Sequence, residues 1–378
     1  MILALFFTRG VSLQIWQESG LFEREKALYE GHILNGNFKK IYWFTYGSND
    51  SIVAKNLIQE GRLHHSIKVC SMPFFFNIPK VGFLLYSILL PFIQHKALRK
   101  SHILKTNQID GSWSAIFAKF LYRKKLVVRS GFTLSIFIKN SNKSLIKIWI
   151  AKCIESFAYN FCDLAFVSSS YDKDYVVNNF NIESKKIRVV PNFVDIEIFK
   201  PLRLEKFKNK MIFVGRLNNQ KNLFNLIDAA SMAKINLDIY GSGELRESLE
   251  LYARSKYIQI NFMGTVSNDE LPKILNKYQY YVLPSLYEGL PKTLIEAMAC
   301  GLLCIGTNVQ GINELIQDEV NGFLADDTDT NSIYEALDHA IKIDKIKSNL
   351  LCQSAINLIR SKYSLQKIVS IEKELFDA

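Results

Sequence analysis

The sequence predicts an α/β protein of two doubly wound domains, each built around a parallel sheet. Its 378 residues exceed the roughly 100–200 residues of one typical domain, which favours two domains. Short apolar strands alternate with helical stretches of roughly 10–15 residues, a pattern typical of βαβ units. With 48% hydrophobic and 22% charged residues, the composition excludes a disordered chain, and only six cysteines are present, which excludes a disulfide scaffold.

The C-terminal half shows the alternation most clearly. Five segments are expected to be strands: Lys210–Leu217, Asn236–Gly241, Ile258–Gly264, Tyr280–Ser285 and Leu302–Thr307. Four segments between them carry apolar residues at helical spacing: Asn222–Ala233, Glu244–Lys256, Asp269–Tyr278 and Pro291–Cys300. Because strands joined through helices run parallel, their carboxyl ends meet at one edge of the sheet, where ligands of such sheets bind.

The N-terminal half follows the same plan less regularly. Its strand candidates are Ile2–Phe7, Lys40–Phe44, Ile67–Cys70, Ile103–Thr106, Lys125–Arg129 and Leu164–Ser168. The turn signal at Pro191–Asn192 marks the change of domain. We therefore expect an N-terminal domain of residues 1–196 and a C-terminal domain of residues 197–362, with a cleft between them.

The charge of the chain is concentrated in its N-terminal half. Residues 1–195 hold 26 Lys and Arg against 13 Asp and Glu, which gives +13; residues 196–378 hold 21 against 23, which gives −2. A half this basic is expected to bind something anionic: a phospholipid surface, nucleic acid or a phosphorylated substrate. Nucleic acid is the least favoured of the three, since no helix-turn-helix, zinc or aromatic RNA-binding signature is present.

Apolar stretches of the N-terminal half alternate with basic residues, which favours binding at an anionic membrane surface. The apolar stretches are Phe74–Phe76, Val81–Phe92, Ile136–Ile138 and Ile146–Ile150, and the basic residues are Lys80, Lys96, Arg99, Lys100, Lys139, Lys143, Lys147 and Lys152. The longest uncharged stretch, Val81–His95, has 15 residues, fewer than the about 20 that span a bilayer. We expect a cytoplasmic protein, peripheral on the inner face of the cell membrane.

Two glutamates eight residues apart form the first candidate site. Glu288 follows the strand Tyr280–Ser285, and Glu296 lies about one and a half turns into the helix that Pro291 is expected to open. The start of that helix presents backbone N–H groups and a partial positive charge, which suits a phosphate. Glu296 could accept hydrogen bonds from vicinal hydroxyls. Alternatively, Glu288 is a solvated loop residue and Glu296 a charge on the helix surface.

Two further motifs follow neighbouring strands. Arg216 and Lys221 stand between a buried strand and a helix. The planar guanidinium of Arg216 and the point charge of Lys221 could together clamp a diphosphate. Alternatively, both are solvated loop cations. Gly241 and Gly243 end the next strand, where glycines let a ligand approach the backbone, although an ordinary tight turn would also explain them.

Taken in order, these motifs resemble those of the family 4 glycosyltransferases, the group 1 retaining enzymes of the GT-B fold. Glu288 and Glu296 match the family's spaced glutamates, and Arg216 and Lys221 match its strand-end Arg and Lys. Further matches are Pro191–Asp195, Phe262–Gly264, Gly301, Gln310–Ile316 and Asn321–Leu324. The resemblance is strongest over residues 187–330 and implies the GT-B fold: two Rossmann-like domains whose parallel sheets face a cleft.

The resemblance implies an activity and the residues that carry it. A sugar, such as a hexose, would move with retention from a nucleotide-diphosphate sugar to a glycan or lipid-linked acceptor, as in the biosynthesis of cell-surface polysaccharide or lipopolysaccharide. Arg216, Lys221 and Glu288 would be catalytic, the first two at the diphosphate and Glu288 at the transferred sugar; Glu296 would bind the ribose. The other donor-binding residues would be Gly10, Gly243, Glu244, Gly264, Gly289, Leu290, Pro291, Lys292 and Thr293.

The N-terminal domain would take the acceptor in this family. A helix within residues 363–378, predicted from the spacing of Leu365, Ile368, Ile371 and Leu375, would return to that domain. No metal and no cofactor other than the donor is expected, since no Asp-x-Asp suits a divalent ion.

Two departures from the family concern the N-terminal domain. The first βα loop has the single glycine Gly10, where many members have two, and Ser130–Gly131 replaces a frequent histidine. A sugar-nucleotide epimerase on the same fold is an alternative, and a nucleic-acid-binding protein is a weaker one suggested only by the charge.

Overall fold

The computed structural model describes residues 1–78, 81–140 and 144–377. They form two compact units, one of Met1–Pro191 with Val369–Ala378 and one of Asn192–Ile368, here named the N-terminal unit and the C-terminal unit. The chain thus divides at the turn after Pro191 and again between residues 368 and 369, whereas the sequence placed the boundaries after residues 196 and 362.

The N-terminal unit is built on a seven-stranded parallel sheet. Its strands are β1 (Ile2–Phe6), β2 (Lys40–Phe44), β3 (Ile67–Cys70), β4 (Ile103–Thr106), β5 (Lys125–Ser130), β6 (Leu164–Val167) and β7 (Ile187–Val189). Their order is β3-β2-β1-β4-β5-β6-β7, with Leu3 of β1 paired to both Ile41 and Ile103. The order reverses between β1 and β4, and such a reversal marks the crevice in which doubly wound sheets bind ligands.

Helices connect and cover these strands. They are α1 (Leu13–Glu18), α2 (Phe22–Leu34), α3 (Asp50–Gln59), α4 (Val81–Ile93), α5 (His95–Lys100), α6 (Ser112–Tyr122), α7 (Leu134–Asn140), α8 (Leu145–Phe161) and α9 (Ser170–Phe180). The central strands are almost entirely buried, as expected of a parallel sheet covered on both faces. Across the described part of the chain, no helix combines the length and apolarity that crossing a membrane would require.

The C-terminal unit has a six-stranded parallel sheet. Its strands are β8 (Lys210–Val214), β9 (Asn236–Tyr240), β10 (Ile260–Gly264), β11 (Tyr280–Leu283), β12 (Leu303–Thr307) and β13 (Phe323–Ala325), in the order β10-β9-β8-β11-β12-β13. Its helices are α10 (Leu223–Met232), α11 (Arg246–Ala253), α12 (Leu271–Leu275), α13 (Lys292–Ala299), α14 (Thr330–Lys342) and α15 (Lys345–Leu358). The order reverses between β8 and β11, which places the switch point of this sheet there.

The two parallel sheets confirm the predicted fold class. Every strand expected from the sequence is present, with ends that differ by a few residues. The sequence missed β7 and β13, which have three residues each and lie at sheet edges, because so short a segment carries little pattern. Helix α12 is shorter than expected, since the Asn276 side chain donates to the carbonyls of Pro272 (2.8 Å) and Lys200 (3.0 Å) where the helix would have continued.

Helix α16 (Leu365–Asp377) contains residues of both units. A π-helical turn, Ile359–Tyr363, precedes it, and Leu365 N donates to the carbonyl of Val194 (2.9 Å) in the C-terminal unit. From Val369 onward the helix belongs to the N-terminal unit, where Phe376 is 4% exposed.

A fully buried charge cluster fixes this part of α16 in the N-terminal unit. The Lys105 ammonium, on β4, donates to both carboxylate oxygens of Glu372 (2.6 and 2.7 Å). Nε2 of His32 lies 2.9 Å from Oε2 of Glu372, and the Asn37 amide lies 3.0 Å from Nδ1 of His32. Both ring nitrogens of His32 therefore have polar partners within the cluster. The apolar spacing of α16 gave no sign of this buried carboxylate.

Candidate donor site

The loops after β8, β9 and β10 are tied together at the carboxyl edge of the C-terminal sheet. Gly215 N donates to Tyr240 O (2.9 Å), Leu217 N to Ser242 O (2.9 Å), and Gly241 N to Gly264 O (2.7 Å). A Cβ on Gly241, whose φ is +139°, would lie 1.8 Å from the Gly215 carbonyl oxygen. Only glycine fits there, so the close approach of these loops depends on it.

Lys221 and Glu288 form an ion pair at the switch point between β8 and β11. Lys221 ends a short 3₁₀ turn after β8 and is 8% exposed. Oε1 of Glu288 also accepts a hydrogen bond from the Ser285 hydroxyl (2.6 Å), and Gln220 donates to the Tyr287 carbonyl (2.8 Å). Glu288 is therefore a fixed and largely shielded carboxylate, not a solvated loop residue.

Arg216 is exposed directly after β8. Among the residues that the structure describes, its guanidinium has no ion-pair partner. Its donor groups are therefore accessible to an anion, and they lie in the same connection between β8 and α10 as Lys221.

Helix α13 begins next to this pair. Pro291 takes the N-cap position with φ −71°, one residue before the position expected for it, and the helix runs from Lys292. The Asn192 amide donates to the Leu290 carbonyl (2.6 Å), and the Tyr281 hydroxyl donates to the Thr293 hydroxyl (2.8 Å). Hydrogen bonds thus fix Leu290 and Thr293, which belong to the segment that was expected to line a sugar and a phosphate.

Glu296 is 2% exposed, in the second turn of α13. This burial excludes the alternative of a charge on the helix surface. A carboxylate is kept in such a position only where it has polar partners, which agrees with a functional role without assigning one.

The remaining residues singled out in the sequence lie in loops, at the ends of strands and at the start of α13. Gly243 and Glu244 are exposed after β9, and Gly264, with φ +76°, ends β10. The Lys292 ammonium lies 5.8 Å above the Phe193 ring within the C-terminal unit. Gly10 belongs to the N-terminal unit, in the loop after β1, and Ser130 ends β5, where its hydroxyl donates to the Phe132 carbonyl (2.7 Å).

Sequence reasoning gave no such role to the polar residues that hold the site in place. Ser285 and Gln220 fix Glu288, Asn192 fixes Leu290, and the Thr307 hydroxyl donates to the Ser285 carbonyl (2.6 Å). Each stands at a strand end or beside a motif, but a lone Ser, Thr, Asn or Gln in a loop carries little signal. No group of three or more His, Cys, Asp and Glu side chains in the described ranges is placed to hold a metal ion.

Comparison with known protein families identifies the class. The family model for glycosyl transferases group 1 matches residues 194–354, and the model for glycosyltransferase family 4 matches residues 41–198. Together they run from residue 41 to residue 354. The chain belongs to the family 4 (group 1) glycosyltransferases, which confirms the resemblance noted in its motifs.

Two curated relatives show what this chain is similar to. The UDP-Gal:α-D-GlcNAc-diphosphoundecaprenol α-1,3-galactosyltransferase of Escherichia coli is 30% identical over 246 residues, which are 60% of this chain and 63% of that protein. A Campylobacter jejuni enzyme, N-acetylgalactosamine-N,N'-diacetylbacillosaminyl-diphospho-undecaprenol 4-α-N-acetylgalactosaminyltransferase, is 28% identical over 314 residues, which are 77% of this chain and 82% of that protein.

Solved structures share the fold along the whole chain. Sucrose-phosphate synthase from Thermosynechococcus elongatus has a TM-score of 0.79 at 16% identity and covers 100% of this chain and 98% of its own. Anabaena HepE in complex with UDP has a TM-score of 0.75 at 16% identity and covers 100% of both chains. At this identity the likeness shows the GT-B fold alone.

Proposed function

We propose that this protein is a retaining glycosyltransferase that moves a sugar from a nucleotide-diphosphate sugar to a lipid-linked acceptor in cell-surface polysaccharide biosynthesis. The observation that carries the proposal is the grouping of Arg216, the Lys221–Glu288 pair and the start of α13 at the β8–β11 switch point. A fork of donors, a fixed carboxylate and a helix N-terminus suit a diphosphate and a sugar bound side by side.

In this proposal each group has a distinct task. Arg216 and Lys221 hold the donor's diphosphate, and the first amides of α13 add a partial positive charge. Glu288 accepts hydrogen bonds from the transferred sugar, and Glu296 binds the ribose. The loops that contain Gly243 and Gly264 line the base.

Transfer with retention balances without a metal. The bond from the anomeric carbon to the diphosphate breaks, and a bond from that carbon to the acceptor oxygen forms on the same face. The proton of the acceptor hydroxyl passes to the departing diphosphate oxygen. The protein's contribution is then positioning and stabilisation of the negative charge that develops on the leaving group.

The lipid-linked acceptor is supported by the relatives, both of which are named for undecaprenol-diphosphate-linked sugars. We assign acceptor binding to the N-terminal unit, whose sheet has its own switch point between β1 and β4. No nucleic acid is involved in this proposal.

The activity test is a screen of nucleotide sugars with N-acetylglucosamine diphosphate linked to a short prenyl chain, in the presence of EDTA. We expect one donor to be consumed with the acceptor, an α-linked product from an α-linked donor, and no loss of rate in the chelator. An inverted product contradicts retention. Activity that EDTA abolishes and Mn²⁺ or Mg²⁺ restores contradicts the metal-free mechanism, and conversion of the donor alone to its epimer contradicts transfer.

The two glutamates should separate by calorimetry with the free nucleotide diphosphate. Glu296→Ala is expected to weaken binding of the nucleotide by about tenfold, the loss of roughly one good hydrogen bond to a charged group. Glu288→Ala is expected to leave that affinity nearly unchanged and to reduce transfer. Equal loss of nucleotide affinity in both variants would refute the assigned tasks. Glu335→Ala is the control, because Glu335 lies on α14, well after both glutamates in the chain.

We also propose that the N-terminal unit binds an anionic membrane through an apolar face formed by α4, α6 and α8. Helix α6 lies against both others: Tyr122 OH donates to the Pro91 carbonyl (2.8 Å), and the rings of Phe120 and Phe161 lie 5.9 Å apart. The exposed apolar residues of this face are Leu84, Leu85, Ile88, Leu89, Phe92, Phe117, Phe120, Leu121, Ile146, Trp149, Ile150 and Phe161.

Exposed basic residues accompany the apolar face. They are Lys96, Arg99, Lys100, Lys139, Lys147 and Lys152, whereas Lys80 and Lys143 lie outside the described residues. Each such residue near an anionic bilayer contributes about 1 kcal/mol, and salt screens that attraction over roughly 10 Å at 0.1 M. Apolar side chains with basic neighbours fit a headgroup layer better than free solvent.

Vesicle co-sedimentation tests this attachment. The full chain should bind vesicles rich in phosphatidylglycerol, bind neutral ones weakly, and be released largely by high salt. Phe92→Ser with Trp149→Ser should reduce binding at least tenfold, whereas Leu251→Ser, at a residue of the C-terminal unit that is 68% exposed, should not. Equal binding by all variants would place the contact elsewhere.

A further inference from the structure

The crevice of the N-terminal sheet contains an ion pair, Arg9 with Asp110, to which the sequence assigned no role, although Gly10 beside Arg9 is a predicted donor-binding residue. Arg9 follows β1 and Asp110 follows β4, the two strands at which the sheet order reverses. Arg9 N donates to the Asp110 carbonyl (3.4 Å), and Gly111, with φ +88°, would carry a Cβ only 3.3 Å from Arg9 N. The two loops are therefore held against each other by the backbone before any side chain contributes.

The side chains of Arg9 and Asp110 form an ion pair beside the aromatic ring of Trp113. Nε of Arg9 lies 3.4 Å from Oδ1 of Asp110, with 37% and 34% of the two side chains exposed. The guanidinium lies 5.3 Å above the Trp113 ring, and the indole N–H donates to the Ser87 hydroxyl (2.9 Å), which fixes that ring. Oδ1 of Asp110 is shielded from solvent, which leaves Oδ2 as the oxygen that can meet a ligand.

The surroundings make polar contacts in this crevice stronger than at an open surface. Burial raises the pKa of Asp110, and Arg9 only partly opposes that shift. Tyr46, 3% exposed, stands near both side chains. About a third of each side chain is exposed, so a ligand can reach the pair, and the shielded remainder strengthens the hydrogen bonds that such a ligand would make.

The charge of the pair selects the chemistry of the ligand. A phosphate would gain from Arg9 but would be repelled by Asp110, so the pair as a whole does not favour an anion. Sugar hydroxyls both donate and accept: they can donate to Oδ2 of Asp110 and accept from the free N–H groups of Arg9. The fixed ring of Trp113 adds an apolar wall of the kind that the C–H face of a sugar contacts.

We propose that Arg9 and Asp110 bind hydroxyls of the sugar that ends the acceptor, and thereby select which sugar is extended. This inference rests on the proposed function and deepens it, because it assigns the acceptor's sugar, and not its diphosphate, to the β1–β4 crevice. Recognition by paired donors and acceptors discriminates strongly between sugars, since a missing hydroxyl would leave one of the two side chains without its partner.

The test compares two ligands that differ only in the sugar. N-Acetylglucosamine diphosphate linked to a short prenyl chain and the same prenyl diphosphate without sugar are titrated into the wild type, Arg9→Gln, Asp110→Asn and Arg62→Gln. Arg62 is the matched control. It pairs with Glu23 (2.8 Å) in the same unit, but it precedes β3 and so lies toward the amino ends of the strands, whereas Arg9 and Asp110 follow the carboxyl ends of β1 and β4.

We expect Arg9→Gln and Asp110→Asn to weaken binding of the sugar-bearing ligand tenfold or more. Binding of prenyl diphosphate and of UDP, and the melting temperature, should stay close to wild type, as should every property of Arg62→Gln. Unchanged affinity for the sugar-bearing ligand, or equal loss for both prenyl ligands, overturns the inference, as does a wild type that does not prefer the sugar-bearing ligand.

These outcomes are distinct from failure of the proposed function. If the wild type transfers a sugar from a nucleotide donor while both variants bind the acceptor normally, the function stands and the inference falls. If no nucleotide sugar is used but the variants lose sugar-dependent binding, the inference about the crevice stands and the transferase assignment falls.

Discussion

Lys221→Ala is expected to lower turnover by roughly a hundredfold or more, and Arg216→Ala should have a similar effect, as when one donor to a developing negative charge is removed. The donor's diphosphate carries at least two charges, and in the C-terminal unit these two cations stand at the switch point of the sheet. Turnover at saturating donor is the measurement. Near-normal rates in both variants would contradict the proposed clamp.

Lys221→Ala would remove a positive charge and would also break the ion pair with Glu288. Without the ammonium, the shielded Glu288 carboxylate keeps only neutral donors such as the Ser285 hydroxyl (2.6 Å). Effects of Lys221→Ala and Glu288→Gln should therefore be non-additive, with the double variant little slower than the worse single one. Lys256→Ala is the matched control. Lys256 also pairs with a carboxylate, that of Asp228, but it lies between α11 and β10 and so toward the amino ends of the strands.

Glu372→Ala is expected to destabilise the N-terminal unit by about 3–5 kcal/mol, the cost of leaving one partner of a buried ion pair alone. The variant leaves the Lys105 ammonium fully buried without the carboxylate that it contacts at 2.6 and 2.7 Å. Hydrogen exchange should show the loss of protection in β1, β4 and β5 before any loss in the C-terminal sheet. Glu374→Ala, two residues along the same helix and exposed, should change nothing.

The stabilisation by Glu372 should disappear in acid. Burial acts to raise the pKa of Glu372, but Lys105 foremost, then His32 and Arg129, outweigh it and lower the pKa from 4.5 to about 2. Because the folded pKa is below the unfolded one, the contribution is complete above about pH 4.5 and is lost as the pH falls toward 2. Urea unfolding should show the wild type and Glu372→Gln converging over that range. A difference that stays constant down to about pH 2 would count against the cluster.

The sequence predicted the sheets well, and it also suggested candidate residues for a donor site, because both inferences depend on local pattern. Buried parallel strands read as continuous apolar runs, and the loops that follow them carry Gly, Arg, Lys and Glu at fixed distances along the chain. Arg216, Lys221 and Glu288 could therefore be named as candidates from the sequence, and their roles remain predictions. That Lys221 and Glu288 pair with each other could not, since the contact joins residues far apart in sequence across two neighbouring strands.

The features that sequence reasoning missed are those that depend on tertiary contact. Glu372 reads as one more charge on an amphipathic helix, and only the position of Lys105 on a central strand shows why it is buried. Arg9 and Asp110 are about a hundred residues apart in the chain, and the pairing of β1 with β4 brings them together. A single sequence carries no record of such pairs.

The composition of the N-terminal unit also has a consequence for its synthesis on the ribosome. Lys105 leaves the exit tunnel early, but its counter-ion Glu372 is translated only after the whole of Asn192–Ile368. At about 5–20 residues per second, that insertion takes on the order of ten to thirty-five seconds. Throughout that interval the earlier-made unit carries a lysine destined for its core with no carboxylate to neutralise it. The part of the protein that is translated first is therefore the part that can be completed only later, after the C-terminal unit has had time to fold.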